Sequence, residues 1–412
     1  MKVKLSATIL CCLLFCTVPL FAQPADSTIE VYPYNDHLVR FHYNVGFTFN
    51  VLALYGEDGI LVVDTGFPFT GEQVVKAITG YRDSPIKYIA ISHTHADHTG
   101  GLPAFPKDAT IICSKEAVNS SYFDLPDRPT FPRDPFWFDG LRWIKFDNES
   151  IEFAALPVGH YKDEMTVQFV ESNVVYIGSR MMVGSWPYVD PEFGDIDEIV
   201  KRIGRFAEAY PTATFALAHG PDQTAEQLLE YQALLHGSVE MVESELEKGR
   251  SITEIVSDSV LFEPYDTLNH GPITATHWVT AIARDRGKLD ESATRAPIAK
   301  PLTGILQSEG IDATIAAYYS MKEAKPDGYN YAEAQLNRLG YELIYRNRYG
   351  EALKILELNA AVYDSSANVY DSIGEVQLLM GDTTAAIQSY ERALEMNPEY
   401  QNSIQVLERI RK

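Results

Sequence analysis

Three imidazoles and one carboxylate stand within six residues at His93-Thr94-His95-Ala96-Asp97-His98. They follow directly on an apolar run, Tyr88-Ile89-Ala90-Ile91-Ser92, which reads as a buried strand. Histidines and an aspartate packed this densely at a strand end are costly to bury unpaired, so packing does not explain them. A metal does. Neutral imidazole and carboxylate suit Zn²⁺, which makes no geometric demand from d electrons. His93 and His95 alternate at the strand's end and can share one ion, while Asp97 and His98, after the chain turns, can reach a second. Each ion then needs further ligands. His160 and His219, each at a strand end and beside a glycine, are the natural donors.

The surrounding pattern predicts an α/β layer architecture rather than a bundle. Leu38 to Tyr43, Thr48 to Tyr55 and Gly59 to Val63 read as consecutive antiparallel strands, the last ending in Asp64-Thr65-Gly66. Glu72 to Gly80 has helical spacing. Ile151 to Pro157, Met165 to Val170, Asn173 to Ile177 and Thr212 to Ala218 form a second set of strands. Cys113, in the probable strand Ala109 to Cys113, reads as a buried small hydrophobe. Tyr122 to Trp143, crowded with proline and aromatic residues, is expected to be irregular. Two readings of it stay open: packing against the core, or an apolar pocket wall. From Asp222 to about Arg286 the chain reads as mostly helical.

At 412 residues the chain has room for two or three domains, and its 46% hydrophobic content suffices for proper cores. Residues 1–22, with Lys2 and Lys4 before the apolar Leu5 to Leu14 and a small residue at Ala22, read as a secretory signal. That stretch is too short for a membrane span, so export to the periplasm or medium is expected, with no crossing segment. Cys11, Cys12 and Cys16 fall in the signal, leaving Cys113 without a disulfide partner. A formal charge of −23 repels phosphate backbones and argues against nucleic acid as partner.

The matching stations Asp64-Thr65-Gly66, His93 to Gly101, Gly159-His160, Tyr176-Ile177-Gly178-Ser179 and His219-Gly220 resemble, in order and spacing, the metallo-β-lactamase fold superfamily of hydrolases. The resemblance covers residues 29 to 222 and implies an αββα sandwich. It further implies one zinc held by His93, His95 and His160 and a second by Asp97, His98 and His219, with Asp64 supporting the ligands. Asp97 is the expected catalytic residue, ligating an ion and orienting the nucleophile. A hydroxide on the metals would then cleave an amide, lactone or ester in a small molecule, a β-lactam being one candidate. Hydroxyacylglutathione hydrolases and acyl-homoserine lactonases carry a metal-bridging aspartate where this chain has Ser179. Serine is a poor ligand, so the set looks most like one dizinc β-lactamase subclass, with a more weakly bound second ion. Arg180 could meet a substrate carboxylate, although an internal ion pair is the preferred reading. Tyr188 could donate to an oxyanion, with a surface-loop aromatic preferred. Phe47 and Phe49 could line the entrance, or simply alternate in a half-buried strand. His37, His42, His236, His270 and His277 read as structural or surface histidines.

The C-terminal stretch repeats with a period of 34. Leu339-Gly340 recurs as Ile373-Gly374, Ala352 as Ala386 and Leu356 as Tyr390, and Asn397-Pro398 closes the last unit. A looser copy runs through Gly310, Ile315 and Tyr318. The spacing resembles tetratricopeptide repeats, stacked helix–turn–helix units that bind protein partners. An ordinary helical hairpin domain is the alternative. The expected division is a signal at 1–22, a catalytic domain at 23–290, a linker at 291–302 and all-α repeats at 303–412. A competing function stays open, in which the repeats bind a partner and the metal domain is a scaffold.

Overall fold

The computed structural model describes residues 28–44, 48–118, 136–156, 159–190, 194–271, 273–289, 295–344, 346–398 and 400–411. The predicted signal, Phe47, the prolines from Pro126 to Pro135 and the first part of the predicted linker lie outside them. Two stacked sheets form the N-terminal part. The first has seven strands: β1 (Thr28–Pro33), β2 (Leu38–Asn44), β3 (Thr48–Tyr55), β4 (Ile60–Val63), β5 (Ile86–Ala90), β6 (Thr110–Ser114) and β7 (Phe136–Phe138). They pair in sequence order, antiparallel from β1 to β4 and parallel from β4 to β7. The second has β8 (Leu141–Phe146), β9 (Glu149–Leu156), β10 (Glu164–Phe169), β11 (Val174–Tyr176) and β12 (Thr214–Ala216) in the spatial order 12-11-10-9-8. Only its β11–β12 pairing is parallel.

Strand alternation builds the layers. In β3, Phe49, Val51, Ala53 and Tyr55 point outward under the helix Gly71–Tyr81, while Leu52 and Leu54 point inward to the facing sheet. In β4, Ile60 and Val62 face outward, and Leu61 and Val63 inward. The inner layer is completed from the second sheet by Ile151, Phe153, Met165, Val167, Phe169 and Tyr176. The other face of that sheet packs against helices Ile196–Ala209, Ala225–Glu247 and Ala275–Asp285, with Trp186 and Trp278 fully buried among them. The result is an αββα sandwich. Both faces of each central strand are buried, which explains the near-continuous apolar runs in the sequence.

The prolines ahead of residue 136 do not extend into the last part of the expected irregular stretch. Phe136–Phe138 pairs parallel with β6 and Leu141–Phe146 antiparallel with β9, so Trp137 and Trp143 sit on regular strands. Phe49 stacks on Tyr43 at 4.7 Å and meets Phe67 edge-on at 5.6 Å, which makes it core and not entrance. Cys113 is fully buried, and burial pushes its thiol up to about 12.

Helical hairpins follow: Ala299–Glu309 with Ile311–Ala324, Glu333–Ile344 with Tyr349–Val362, Ala367–Leu379 with Thr383–Met396, and a last helix Gln401–Ile410. The predicted linker is therefore too long. Helix begins at Ala299 because Ile298, Leu302 and Leu306 are apolar at helical spacing and are buried with Tyr318. The looser copy around Gly310 and Tyr318 is a real helix pair. No described helix is long and apolar enough to cross a membrane.

Candidate metal centre

Three strand ends deliver the candidate ligands. The chain leaves β5 through Ser92 to His93 and His95, then turns into the short helix Ala96–Thr99 that carries Asp97 and His98. His160 follows β9, and His219 follows β12, which β11 holds in place. Ligand atoms of His93, His95 and His160 lie within 4.8 Å of one another, and so do those of Asp97, His98 and His219. His95 Nδ1 is 3.0 Å from His93 Nε2 and 3.2 Å from His160 Nε2. Asp97 Oδ2 is 3.1 Å from His98 Nε2 and 3.2 Å from His219 Nε2. Tetrahedral ligands at ~2.0–2.1 Å from a zinc ion stand about 3.3 Å apart. Both triads fit such an ion.

The far ring nitrogens are anchored, which turns the inner ones toward the site. His160 Nδ1 donates to the Tyr188 carbonyl at 2.8 Å, and His219 Nδ1 to the Thr48 carbonyl at 2.7 Å. His98 Nδ1 faces Asp64 Oδ2 at 2.6 Å. Asp64 sits just past β4 at φ 65°, a conformation that an aspartate tolerates better than most residues. Its carboxylate also accepts from Ser92 N at 2.8 Å, Ser92 Oγ at 2.7 Å and Tyr176 Oη at 2.6 Å. Close packing of Gly101 on Thr65 locks the turn: a Cβ there would stand 2.0 Å from the Thr65 carbonyl oxygen.

Burial holds His93, His95 and His160 below the usual histidine range, helped by repulsion from His98, His95 and His160 at His93 and from His160 at His95. Neutral rings keep the lone pairs that a metal needs. The second triad differs. Burial would lower His98, but Asp97 and Asp64 outweigh it and raise it to about 10. Burial likewise would raise Asp97, yet His98 and His219 hold it well below the ordinary carboxylate range.

Ser179 is buried between the second pair of rings, its Oγ 3.2 Å from His98 Nε2 and 3.3 Å from His219 Nε2. Arg180 is not a substrate contact. Only 1% exposed, it pairs with Glu164 Oε1 at 3.2 Å and donates to the Ile177 carbonyl at 2.8 Å. Glu164 Oε2 in turn accepts from His160 N at 2.9 Å, so this ion pair fixes the ligand's backbone. Nor is Tyr188 a surface aromatic. Its half-buried ring stacks on His277 at 5.0 Å and lies 5.8 Å from that of His95. His277 Nε2 accepts from Val189 N, which fixes the loop. His37 meets Glu149 at 3.0 Å, His42 meets Asn50 at 2.7 Å and His236 meets Glu240 at 3.5 Å, all away from the triads. The backbone of His270 donates to the Gly184 carbonyl.

Several contributors escaped the sequence reading. Tyr161, one residue past His160, puts its ring 4.6 Å from that of His95. Asp163 accepts from Thr94 Oγ1 at 2.5 Å and so holds the turn between His93 and His95; burial pushes its carboxyl up to about 7. Their closeness to Gly159-His160 was the available signal. Ser92, next to a predicted station, and Tyr176, inside one but given no role there, had no signal beyond position.

Residues 45–235 match the family model described as the metallo-beta-lactamase superfamily, and residues 367–400 match a tetratricopeptide repeat. A beta-lactamase-like protein 2 homolog from Caenorhabditis elegans is 22% identical over 213 residues, covering 51% of this chain and 65% of that protein. A lactamase-like protein, aptB, from Emericella nidulans is 25% identical over 200 residues, 46% of this chain and 58% of its own length. The chain thus spans less than two thirds of either relative. The solved structure of the stereoselective inverting sec-alkylsulfatase Pisa1 from Pseudomonas sp. superposes with a TM-score of 0.53 at 14% identity. It covers 89% of this chain and 65% of that one, a likeness of fold.

Proposed function

Taking residues 45–235 as a metallo-β-lactamase superfamily domain followed by tetratricopeptide-type repeats, we propose that the protein is an exported zinc-dependent hydrolase. Its substrate is a small molecule with an amide, lactone or ester bond. The observation that carries this reading is the pair of adjacent triads, His93–His95–His160 and Asp97–His98–His219, built from separate strand ends. Five imidazoles and one carboxylate favour zinc over manganese or calcium. Zinc, when bound, lowers the pKa of coordinated water toward neutrality and polarises a carbonyl.

The chain's own residues do the rest. Burial keeps His93, His95 and His160 neutral and able to ligate. Asp97 brings the one carboxylate among the six ligands, and it accepts a hydrogen bond from the attacking water. Asp64 fixes His98 with its inner nitrogen toward the site. Ser179 cannot replace a bridging carboxylate, which favours cyclic amide substrates over thioesters within the resemblance. The basic and apolar start of the sequence supports export.

Metal analysis of the full chain, with a panel of a chromogenic cephalosporin, a lactone, a thioester and a secondary alkyl sulfate, tests the reading. Asp97→Ala should abolish turnover of whichever substrate is cleaved and leave circular dichroism unchanged. An active Asp97→Ala variant overturns its role, and a chain that takes up no metal overturns the hydrolase reading.

A further inference from the structure

The inward face of the first sheet changes character toward the metal end. Leu38 of β2 and Leu52 and Leu54 of β3 are buried between the sheets. Strand alternation continues the same stripe through Arg40 and His42 in β2 and Asn50 in β3, with His42 and Asn50 directly opposite each other. His42 itself lies outside both triads, but Asn50 reaches the loop that carries His219. Its amide Nδ2 donates to the Leu217 carbonyl at 2.8 Å and to the Gly220 carbonyl at 2.7 Å. Its backbone N donates to the Ala218 carbonyl at 2.7 Å. Three of the four carbonyls from Leu217 to Gly220 therefore rest on one residue. Arg40 Nη1 adds a second donor to the Gly220 carbonyl at 3.0 Å. Two residues before Asn50, the Thr48 carbonyl accepts from His219 Nδ1 at 2.7 Å. Asn50 and His219 are both buried.

We propose that Asn50 is the positioning residue for His219: it sets where Nε2 falls in the Asp97–His98–His219 triad, and so the affinity for the second ion. This rests on the metal-dependent hydrolase reading and deepens it. Both hydrogens of the amide go to the two carbonyls, so Oδ1 can only accept, and it faces His42 Nδ1 at 2.7 Å. The amide is thereby fixed in orientation. Asparagine is the side chain suited to the place. Aspartate offers no donor, and an apolar residue would leave the buried Leu217 carbonyl without its partner. The stretch from Thr48 to Asn50 thus holds the ring through one carbonyl and the backbone around it through three hydrogen bonds. Asn50 makes no such bond to His93, His95 or His160, so its influence falls on one triad.

The test titrates the full chain with Zn²⁺ against a chromophoric chelator and reads the two binding classes, the weaker assigned to the second triad. Asn50→Asp keeps the shape and the acceptor toward His42 while turning an oxygen on the two carbonyls. It should weaken the weaker class about 10–100-fold, the usual size for loss of a supporting partner, and leave the tighter class unchanged within about twofold. Asn50→Ala, which brings no charge, should give the same selective loss and decides the matter where Asn50→Asp fails to fold. Tyr55→Phe is the structural control. It removes a buried hydrogen bond to the Ile78 carbonyl at the other end of the same strand, and should lower the melting temperature with both classes unchanged. The proposal is overturned by an unchanged weaker class in either asparagine variant, by parallel weakening of both classes, or by the same selective loss in Tyr55→Phe. A wild-type chain that binds fewer than two zinc ions would instead overturn the two-metal reading, and this proposal with it.

Discussion

Asp64→Asn should separate the two metal positions. The substitution keeps the shape of the side chain, and its remaining oxygen can still accept from Ser92 N, as Asp64 Oδ1 does at 2.8 Å. An amide nitrogen then takes the place of Oδ2, which faces Ser92 Oγ, Tyr176 Oη and His98 Nδ1. The two hydroxyls can rotate to accept. The imidazole cannot rotate its proton away. To accept from the new amide, His98 must carry its proton on Nε2, the atom 3.1 Å from Asp97 and turned toward the site. That tautomer has no lone pair for a metal. Loss of such a supporting partner costs 10–100-fold in metal affinity, or about 1.4–2.7 kcal/mol. The first triad meets this network through Ser92 Oγ, 3.1 Å from His93 Nδ1, and through the His93 ring, 4.0 Å from that of His98, and neither contact fixes which nitrogen of His93 faces the site. Titration against a chromophoric chelator should therefore show the tight class unchanged within about twofold, and the weak class 10–100-fold weaker. Parallel weakening of both classes, or an unchanged weak class, would refute the tautomer argument.

His98, raised to about 10 by Asp97 and Asp64 against the effect of burial, keeps its proton below that pH and must lose it to bind a metal. Apparent affinity at the second position should thus rise about tenfold per pH unit from 7 to 9, while the first, with its rings held neutral, stays flat. Equal, tight occupancy of both positions after dialysis at pH 7 would contradict this. In the repeats, Gly374→Val places a Cβ 2.9 Å from the ring of Tyr390, where the helices Ala367–Leu379 and Thr383–Met396 cross. Overpacking of this kind costs ~1–3 kcal/mol, so a lower melting temperature with unchanged metal content is expected. An unaltered melt would show that the helices can move apart freely.

The sequence by itself determined the elements and their chemistry. Thr48 to Tyr55 could be bounded as a strand because its alternating side chains are apolar on both faces, and the observed strand has those ends. His93, His95, Asp97 and His98 were legible because their spacing is local: one strand end and one turn place all four. The 34-residue period was legible because Gly340 and Gly374 answer the same helix crossing twice. What only the tertiary structure decided is which distant groups meet these residues. Arg180 beside Ser179 read as an internal ion pair ahead of a substrate contact, but the partner could not be named from the sequence: it is Glu164, which β10 brings alongside. Tyr188 was drawn inward by its contact with His277, from a helix nearly ninety positions on. Spacing along a chain encodes contacts within a turn or a strand; contacts between layers depend on how whole faces are buried against one another, and no short window of sequence contains that.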